Sequence, residues 1–482
     1  MKSAFARCAA LLLASIVSAC ANDPPVAKLE RPNVAPVRQN SSGTLRLQNA
    51  KINPMYRQIL AIDLENVAHV ASIDNLEILK ARQEVEASRG QLESADAAIL
   101  PVVGPGVVLN HLQGVDINNL GILQAAHFTT INPAVLVRWA VNPGQVYFNV
   151  LASSKRLLAT EQQDSAVTMQ TIKTAALQYY DLVLAQARVG VARDALADAK
   201  EFLRLAQRRF DAQTGLFVDV TRGQAVLADR QQDLALAVDD FYKASVALGT
   251  TLNIDPTVTL VPKARELARR DLVRGDLGID QMLALAVQWR PDLQSVNLLL
   301  AATGDDTNAI IWGVGTPNLQ ATYQAGKFGS RTATQHFPSK GQEVSSASVG
   351  WVFNPVVFGQ VRTSGAVAQI AVLDAERLLE DVKAQVVVSS QDSITYARLI
   401  PIAEKQVTAA QDALRVTREN FQTGTGLFLD VLQAQDAVNA ARLRQASAIT
   451  NYDKSQVNLL AAIGLLDQAN VAVAPSAAKP PK

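Results

Sequence analysis

Apolar and small residues recur at alternating steps of three and four positions in two long parts of the chain. One such stretch covers residues 427–462, and the same phase appears 211 residues earlier, over 216–251. Because a heptad repeat lets helices pack closely side by side, each stretch predicts a long helix in a coiled-coil-like arrangement. Any antiparallel helical bundle would show the same rhythm, so the pattern alone specifies helices and not their function.

A still longer helical stretch precedes each of these two segments. Residues 143–210 contain no proline after Pro143, and a single helix of that length would extend roughly 100 Å at about 1.5 Å per residue. The matching stretch, 355–421, contains Pro401, which is predicted to kink or break its helix.

Four segments between the helices alternate apolar and polar residues, as β-strands do. They cover residues 102–111, 135–141, 319–325 and 349–353. Such alternation is typical of transmembrane β-strands, although a small soluble sheet with one buried face would show it too. Trp139 and Trp351 lie at equivalent strand ends, where membrane-interface aromatic residues are expected.

Two phrases of the sequence occur twice. Thr-Gly-Leu-Phe-Val-Asp-Val begins at residue 214 and returns with one change at residue 425, and a Trp followed by Asn-Pro occurs at 139–143 and 351–355. We therefore predict two tandem repeats. The first covers 56–255, with strands within 100–142 and a tip hairpin at 210–220. The second covers 281–468, with strands within 316–354 and a tip hairpin at 421–431, and residues 256–280 form an equatorial linker between them.

The ends of the chain resemble those of an exported lipoprotein. Residues 1–19 have the basic start and short apolar core of a signal peptide, and Val17-Ser18-Ala19-Cys20 resembles a lipobox, which predicts lipidation at Cys20. An ordinary signal peptide with a chance cysteine is the alternative. Residues 20–55 are proline-rich and predict a lipid-anchored extended linker, and residues 469–482 predict a disordered tail.

Composition excludes several classes of function. The formal net charge is +1, which provides no global field to attract nucleic acid. The sequence contains no run of about 20 apolar residues and so predicts no membrane-spanning helix, which means that a membrane crossing would require a closed β-barrel. Four strands per chain are too few for a barrel, since bacterial barrels begin at about eight, so closure requires several chains related by symmetry.

No residues in the sequence suggest catalysis or a cofactor. The chain lacks phosphate-binding glycine loops and nucleophile motifs, and its four histidines, His69, His111, His127 and His336, show no ligand-like spacing. We therefore expect neither an enzyme nor a metal or cofactor site.

The arrangement resembles the TolC family of outer membrane efflux channels. The resemblance is carried by the duplicated tip phrase, the Asn-Pro of each repeat, Arg290-Pro291-Asp292-Leu293 and the lipobox. It implies a homotrimer with a 12-stranded membrane β-barrel and a long α-helical barrel, anchored by lipid in the outer membrane and extending into the periplasm. It also implies a periplasmic adaptor and an inner-membrane pump of the resistance-nodulation-division type as partners.

The resemblance assigns roles to several residues. Asp430, and with it Asp219, matches the acidic gate of the channel, although an aspartate in the first turn of a helix also stabilises the helix without any further role. Gly215, Leu216, Gly426 and Leu427 match tips that contact the adaptor, and the two glycines are expected to adopt left-handed turn conformations.

Two departures from the family pattern put local helix packing in question. The first repeat lacks a proline near 74–76, and residues 303–306, Thr-Gly-Asp-Asp, are predicted to interrupt a helix.

The predicted function is that of a trimeric exit duct of a tripartite efflux system, which exports small molecules such as drugs across the outer membrane. Two alternatives remain: the exit duct of a type I protein secretion system, and a coiled-coil lipoprotein that forms no channel.

Overall fold

A computed structural model describes residues 44–46, 58–117, 121–263, 266–275, 277–331 and 339–467. The predicted signal peptide, Cys20 and the tail at 469–482 lie outside the described residues, and the 20–55 linker is described only at residues 44–46.

The described chain is mainly helical, with eight helices and eight strands. The helices are α1 Leu64–Asp74, α2 Leu76–Ala97, α3 Pro143–Asp211, α4 Phe217–Thr251, α5 Ile279–Trp289, α6 Pro291–Gly315, α7 Val356–Thr423 and α8 Phe428–Ala462. The strands are β1 Thr44–Arg46, β2 Gln58–Ile62, β3 Val102–Ile117, β4 Leu123–Val141, β5 Val258–Pro262, β6 Glu266–Ala268, β7 Asn318–Arg331 and β8 Ser339–Gly350.

Four long strands form one antiparallel sheet in the order β3-β4-β7-β8. Three of the four predicted strand segments fall wholly in this sheet, and the strands extend well beyond the predicted alternation, reaching 19 residues in β4. The exception is the end of the last one, because β8 stops at Gly350 and leaves Trp351 and Phe353 outside the strand. Two small sheets, β1 with β6 and β2 with β5, lie apart from it.

The helices of the two repeats correspond closely in length. α3 and α7 contain 69 and 68 residues, and α4 and α8 contain 35 each. Two predicted breaks are absent. α7 continues through Pro401, where Ile400 and Ala403 on either side are buried, so the proline does not end the helix.

The predicted interruption at 303–306 is also absent, because α6 is continuous there. Asp305 forms an ion pair with Lys155 Nζ of α3 at 2.6 Å, and Asp306 forms one with Arg156, which is also on α3. These contacts join α6 to α3, so residues with low helix propensity are held in the helix by tertiary contacts.

The helix break near residue 75 occurs without a proline. Asn75 lies between α1 and α2, where its side chain accepts from Glu77 N at 2.8 Å and donates to Thr251 O at 2.6 Å. The first bond caps α2 and the second fastens the break to the end of α4.

One helix of the described chain, α7, is long and apolar enough to pass for a membrane span by length and composition. Its most apolar 18-residue window has a mean hydropathy of 1.3 and contains no buried residue. Length and composition alone do not place α7 in a membrane, so the absence of a membrane-spanning helix stays a prediction.

The most deeply buried part of the molecule lies where the C-terminal half of α8 meets the segment before α5. Backbone N–H groups of this segment donate to α8, from Arg270 to Asp453 Oδ1 at 2.8 Å and from Val273 to Gln456 Oε1 at 3.0 Å. Burial raises the pKa of the Asp453 carboxyl well above its usual value, and the neighbouring Asp271 adds to the shift.

Candidate functional site at the helical tips

Each tip is a four- or five-residue turn between a long helix and a shorter one. The left-handed residues are Gln213, with φ of 60°, and Gly424, with φ of 86°. They occupy the same position in the two repeats, and the next residue in each turn closes back onto the helix, with Thr214 N donating to Arg209 O at 2.9 Å. The expectation that Gly215 and Gly426 are left-handed is wrong, because the left-handed residue of each turn lies two positions earlier in the chain.

Close approach of the chain to the preceding helix explains why Gly215 and Gly426 are glycines. A Cβ added to Gly215 would lie 2.8 Å from Arg209 Cβ, and one added to Gly426 would lie 3.0 Å from Asn420 Cβ. Both distances are shorter than ordinary carbon–carbon contacts, so a side chain would push the turn away from the helix.

The two tips present different surfaces. Leu216 and Leu427, which precede α4 and α8, are 66% and 68% exposed, so both are available for contact. Phe217 is 61% exposed, whereas its counterpart Phe428 is 2% exposed. Phe428 belongs to an apolar cluster that also contains Phe202, Ala206, Val220, Phe421 and Val431. The second tip is therefore packed against the first hairpin, whereas the Phe217 side chain of the first tip is exposed to solvent.

Arg209 joins the two tips. Its Nη1 donates to Phe421 O at 2.7 Å and its Nη2 to Thr214 O at 3.3 Å, and the guanidinium lies 4.5 Å from the centre of the Phe421 ring. Sequence reasoning missed this residue. The available signal was a difference between the repeats, since the counterpart of Arg209 is Asn420.

Asp219 and Asp430 occupy the first turns of α4 and α8, as the sequence implied. Asp219 is half-buried and lies 4.0 Å from Arg222 Nη1. Asp430 is exposed and makes no ion pair with the described residues, and the counterpart of Arg222 is Gln433. The charge of Asp430 is thus less compensated than that of Asp219.

Beyond the tips, polar contacts also join α3 of the first hairpin to α8 of the second. Gln435 Nε2 donates to Asp198 Oδ2 at 2.6 Å, and Arg442 Nη1 lies 3.4 Å from Asp194 Oδ2. Burial raises the pKa of Asp198, although Arg442 and the hydrogen bond from Gln435 oppose the shift. These pairs lie between elements more than 200 residues apart, so helix periodicity gave no sign of them.

The two predicted interface tryptophans differ in setting. Trp139 lies within β4 and donates from Nε1 to Ile99 O at 2.7 Å. Trp351 lies just after β8 and is 69% exposed.

The asparagines before α3 and α7 also differ in their contacts. The Asn142 side chain donates to Gly313 O at 2.8 Å and accepts from Thr316 Oγ1 at 2.6 Å, whereas the Asn354 side chain accepts from the neighbouring Val356 N at 3.1 Å.

Two of the four histidines lie close together, although their spacing in the sequence did not indicate it. His111 and His127 lie on adjacent strands with ring centroids 5.5 Å apart, whereas His69 lies on α1 and His336 lies outside the described residues. Within the described ranges no group of three or more potential ligands is close enough to hold a metal ion.

Comparison with known proteins agrees with this arrangement. No family model matches the chain. Nodulation protein T of Rhizobium leguminosarum bv. trifolii is 21% identical over 81% of this chain and 83% of its own length. The pyoverdine export outer membrane protein OpmQ of Pseudomonas putida is 21% identical over 83% and 86%. The antibiotic efflux pump outer membrane protein ArpC, also of Pseudomonas putida, is 22% identical over 64% and 63%.

Solved structures share the fold. The outer-membrane channel OprN superposes with a TM-score of 0.72 at 19% identity, over 91% of this chain and 100% of that one. The Campylobacter jejuni CmeC outer membrane channel superposes with a TM-score of 0.70 at 15% identity, over 91% and 96%. The predicted resemblance is confirmed: the sequence relatives include outer membrane efflux proteins, and the structural neighbours are TolC-family channels.

Proposed function

We propose that this chain forms the trimeric outer membrane channel of a tripartite efflux system and exports small molecules such as drugs. The observation that supports this most strongly is a four-stranded sheet with two open edges, joined directly to helices of 68 and 69 residues. A channel that crosses both the outer membrane and the periplasm needs both parts, and the fold is that of known outer-membrane channels.

Ring closure accounts for the open sheet edges. β3 and β8 have no strand partner on their outer sides within the described chain. An open edge cannot face lipid, because its N–H and C=O groups would lack hydrogen bonds. Pairing β8 of one chain with β3 of the next removes every edge, and three chains then provide 12 strands.

A neighbouring chain also accounts for the exposed apolar surface of α7. In the first repeat α3 packs between α2 and α6, whereas within the described chain the equivalent α7 packs against α6 without a second helix of the α2 type. Its apolar window includes Val367, Ile370 and Leu373, all exposed. In the trimer α2 of the next chain covers this window, and the poorly bonded Asn354 gains the contacts that Asn142 has.

The partners are assigned to the two ends of the molecule. A periplasmic adaptor contacts the tips through Gly215, Leu216, Gly426 and Leu427, and the adaptor connects the channel to an inner-membrane pump. At the other end the barrel lies in the outer membrane, with Trp139 and Trp351 near its interface and the acylated Cys20 as an additional anchor. The names of the relatives, which are outer membrane proteins, support this location.

The gate is assigned to the tips. Three copies of the uncompensated Asp430 form the narrowest ring, and Asp219 lies beside it with its charge reduced by Arg222. Facing carboxylates favour cations and bind multivalent ones. The apolar cluster around Phe428 and Val431 holds the tips closed against the repulsion.

Export of small molecules is favoured over the two alternatives. Two of the relatives are named for pyoverdine export and antibiotic efflux, which concern small molecules and not proteins. A coiled-coil lipoprotein without a channel would have no use for a four-stranded sheet with strands of 12–19 residues.

Two measurements test the proposal, one on the purified protein and one on the natural host. The detergent-solubilised protein should have a mass of three chains after correction for bound detergent, and deletion of its gene should sensitise the cell to several small-molecule drugs. Unchanged drug susceptibility together with unchanged secretion of proteins would contradict an export role, and a stable monomer would contradict the channel.

A further inference from the structure

A small polar block interrupts the apolar face of the β3–β4 hairpin. Residues directly opposite each other on this face follow one another as Leu109 with Ile131, His111 with Thr129, Gln113 with His127, and Val115 with Ala125. Because alternate residues of a strand point to the same face, the four polar side chains lie together between two apolar pairs. Neither strand formation nor contact with lipid requires them there.

Within this block the two imidazoles meet edge to face. The His111 and His127 ring centroids are 5.5 Å apart, the ring planes make an angle of 79°, and both side chains are exposed. His111 Nδ1 lies 2.9 Å from Thr129 Oγ1. When Nδ1 donates to this hydroxyl, Nε2 keeps a free lone pair, which is how a second-shell partner prepares a histidine to bind a metal.

We propose that His111 and His127 form a binding site for a divalent transition-metal ion of the zinc and copper type. Imidazole nitrogens suit these ions, whereas Mg²⁺ and Ca²⁺ prefer oxygen. Metal–nitrogen bonds of about 2.0–2.1 Å at a tetrahedral angle place two coordinated rings with centroids about 5 Å apart, which is close to the observed 5.5 Å. The Gln113 amide oxygen and water complete the coordination.

The site lies in the half of the β3–β4 hairpin that is remote from the helices. α2 precedes β3 and α3 follows β4, so the turn between the strands points away from both helices. In the proposed channel this is the outer end of the barrel, and the metal would reach it from outside the cell. A bound ion joins two strands of the folded barrel, so the stability of the barrel should rise with the logarithm of the free metal concentration once that concentration exceeds the Kd.

Metal binding to the full-length protein tests the proposal. The protein is purified in detergent without a polyhistidine tag, stripped with a chelator and titrated with Zn²⁺ by calorimetry. We expect one ion per chain, and the paramagnetic resonance spectrum of added Cu²⁺ should show two coordinated nitrogens. His111→Ala and His127→Ala should each weaken binding by more than tenfold.

Two further variants separate ligands from bystanders. Thr129→Val removes only the second-shell bond and should weaken binding by about 10-fold or less, at the lower end of such effects. His69→Ala, on α1, should bind Zn²⁺ as the wild type does. Equal stoichiometry and affinity in the wild type and in a His111→Ala/His127→Ala double variant would overturn the site.

A second measurement does not depend on the assembly of variants. In the wild-type protein, Zn²⁺ should protect His111 and His127 from diethyl pyrocarbonate, as mapped by mass spectrometry, while His69 reacts equally with and without zinc. Unprotected modification of the pair at saturating zinc would refute the proposal. The result is independent of channel activity, because the site is remote from the tips.

Discussion

At the scale of single residues, burial and pairing separate side chains that are alike in sequence. Asp219 and Asp430 occupy the same position of the two repeats, yet only Asp219 has an arginine near it. Asp453 is 1% exposed and surrounded by Arg269, Arg270 and Asp271. The same carboxyl group thus has three different electrostatic settings in one chain.

Asp430→Asn tests the acidic ring. Loss of three facing charges should weaken block of the channel by a trivalent cation added on the periplasmic side, because the cation binds through those charges. The measurement is conductance in planar bilayers, with Asp219→Asn as a control that should change block less. Equal block in the wild type and Asp430→Asn would leave Asp430 as a helix-start residue only.

Asp453→Asn tests the buried carboxyl through pH. Because the folded-state pKa is raised, the folded protein binds more protons than the unfolded chain above the usual pKa of an aspartate. Asp453 therefore makes stability fall as pH rises from about 4 toward the raised pKa. Asparagine keeps the acceptor for Arg270 N–H, so the variant should gain thermal stability relative to the wild type as pH rises. An equal difference at pH 5 and pH 8 would refute this.

At the scale of elements, the tips show how one phrase serves two environments. Both turns have a left-handed residue, a glycine close to the preceding helix and an exposed leucine. The helices around them differ in what they bury, since Phe428 is enclosed and Phe217 is open. The second hairpin thus depends on the first for its packing.

The left-handed positions give a matched pair of substitutions. Gln213→Gly should stabilise the protein and Gly424→Ala should destabilise it, each by about 1 kcal/mol, because only glycine adopts this conformation without steric cost. Thermal unfolding of the two variants measures both effects. The same sign for both changes would contradict the assignment of the turn residues.

Arg209→Gln tests the link between the tips. It removes the contacts with the Phe421 ring and carbonyl, so the two hairpins should separate more readily and basal conductance in planar bilayers should increase. Arg204→Gln is the matched control, since Arg204 pairs with Glu201 on its own helix. Equal conductance in both variants would show that Arg209 does not restrain the tips.

At the scale of the whole molecule, unpaired strand edges and exposed apolar helix faces indicate where other chains bind. The outer sides of β3 and β8 are unpaired within the described chain, and the apolar window of α7 is uncovered. In a chain with two repeats, a surface that is covered by the other repeat at one place is exposed at the equivalent place on the outside of the chain. In the proposed trimer, symmetric association would provide the missing contacts.

Ile370→Glu tests this association. A carboxylate on the exposed apolar window of α7 would be buried by the neighbouring chain, so the proportion of trimer in detergent should fall. Gln369→Glu, which adds the same charge at an exposed polar position of the same helix, should assemble normally. Assembly of Ile370→Glu at the wild-type level would place the interface elsewhere.

The sequence alone determined the elements and their repetition. Heptad spacing, strand alternation and the duplicated phrase predicted the long helices, the four strands and the tips, because each depends on residues close together in the chain. Local rules also produced the errors. Pro401 was predicted to kink or break its helix and residues 303–306 to interrupt theirs, yet α7 is continuous at Pro401 and ion pairs with α3 hold Asp305 and Asp306 in α6.

Only the tertiary structure decided which distant residues meet. The Arg209 link, the enclosure of Phe428 and the pairing of His111 with His127 join residues on different elements. Such contacts depend on strand register and on the rotation of each helix about its axis, and one residue of slip in a strand would turn every side chain to the opposite face. Periodicity indicates which face of an element is buried, whereas packing selects the side chains that touch.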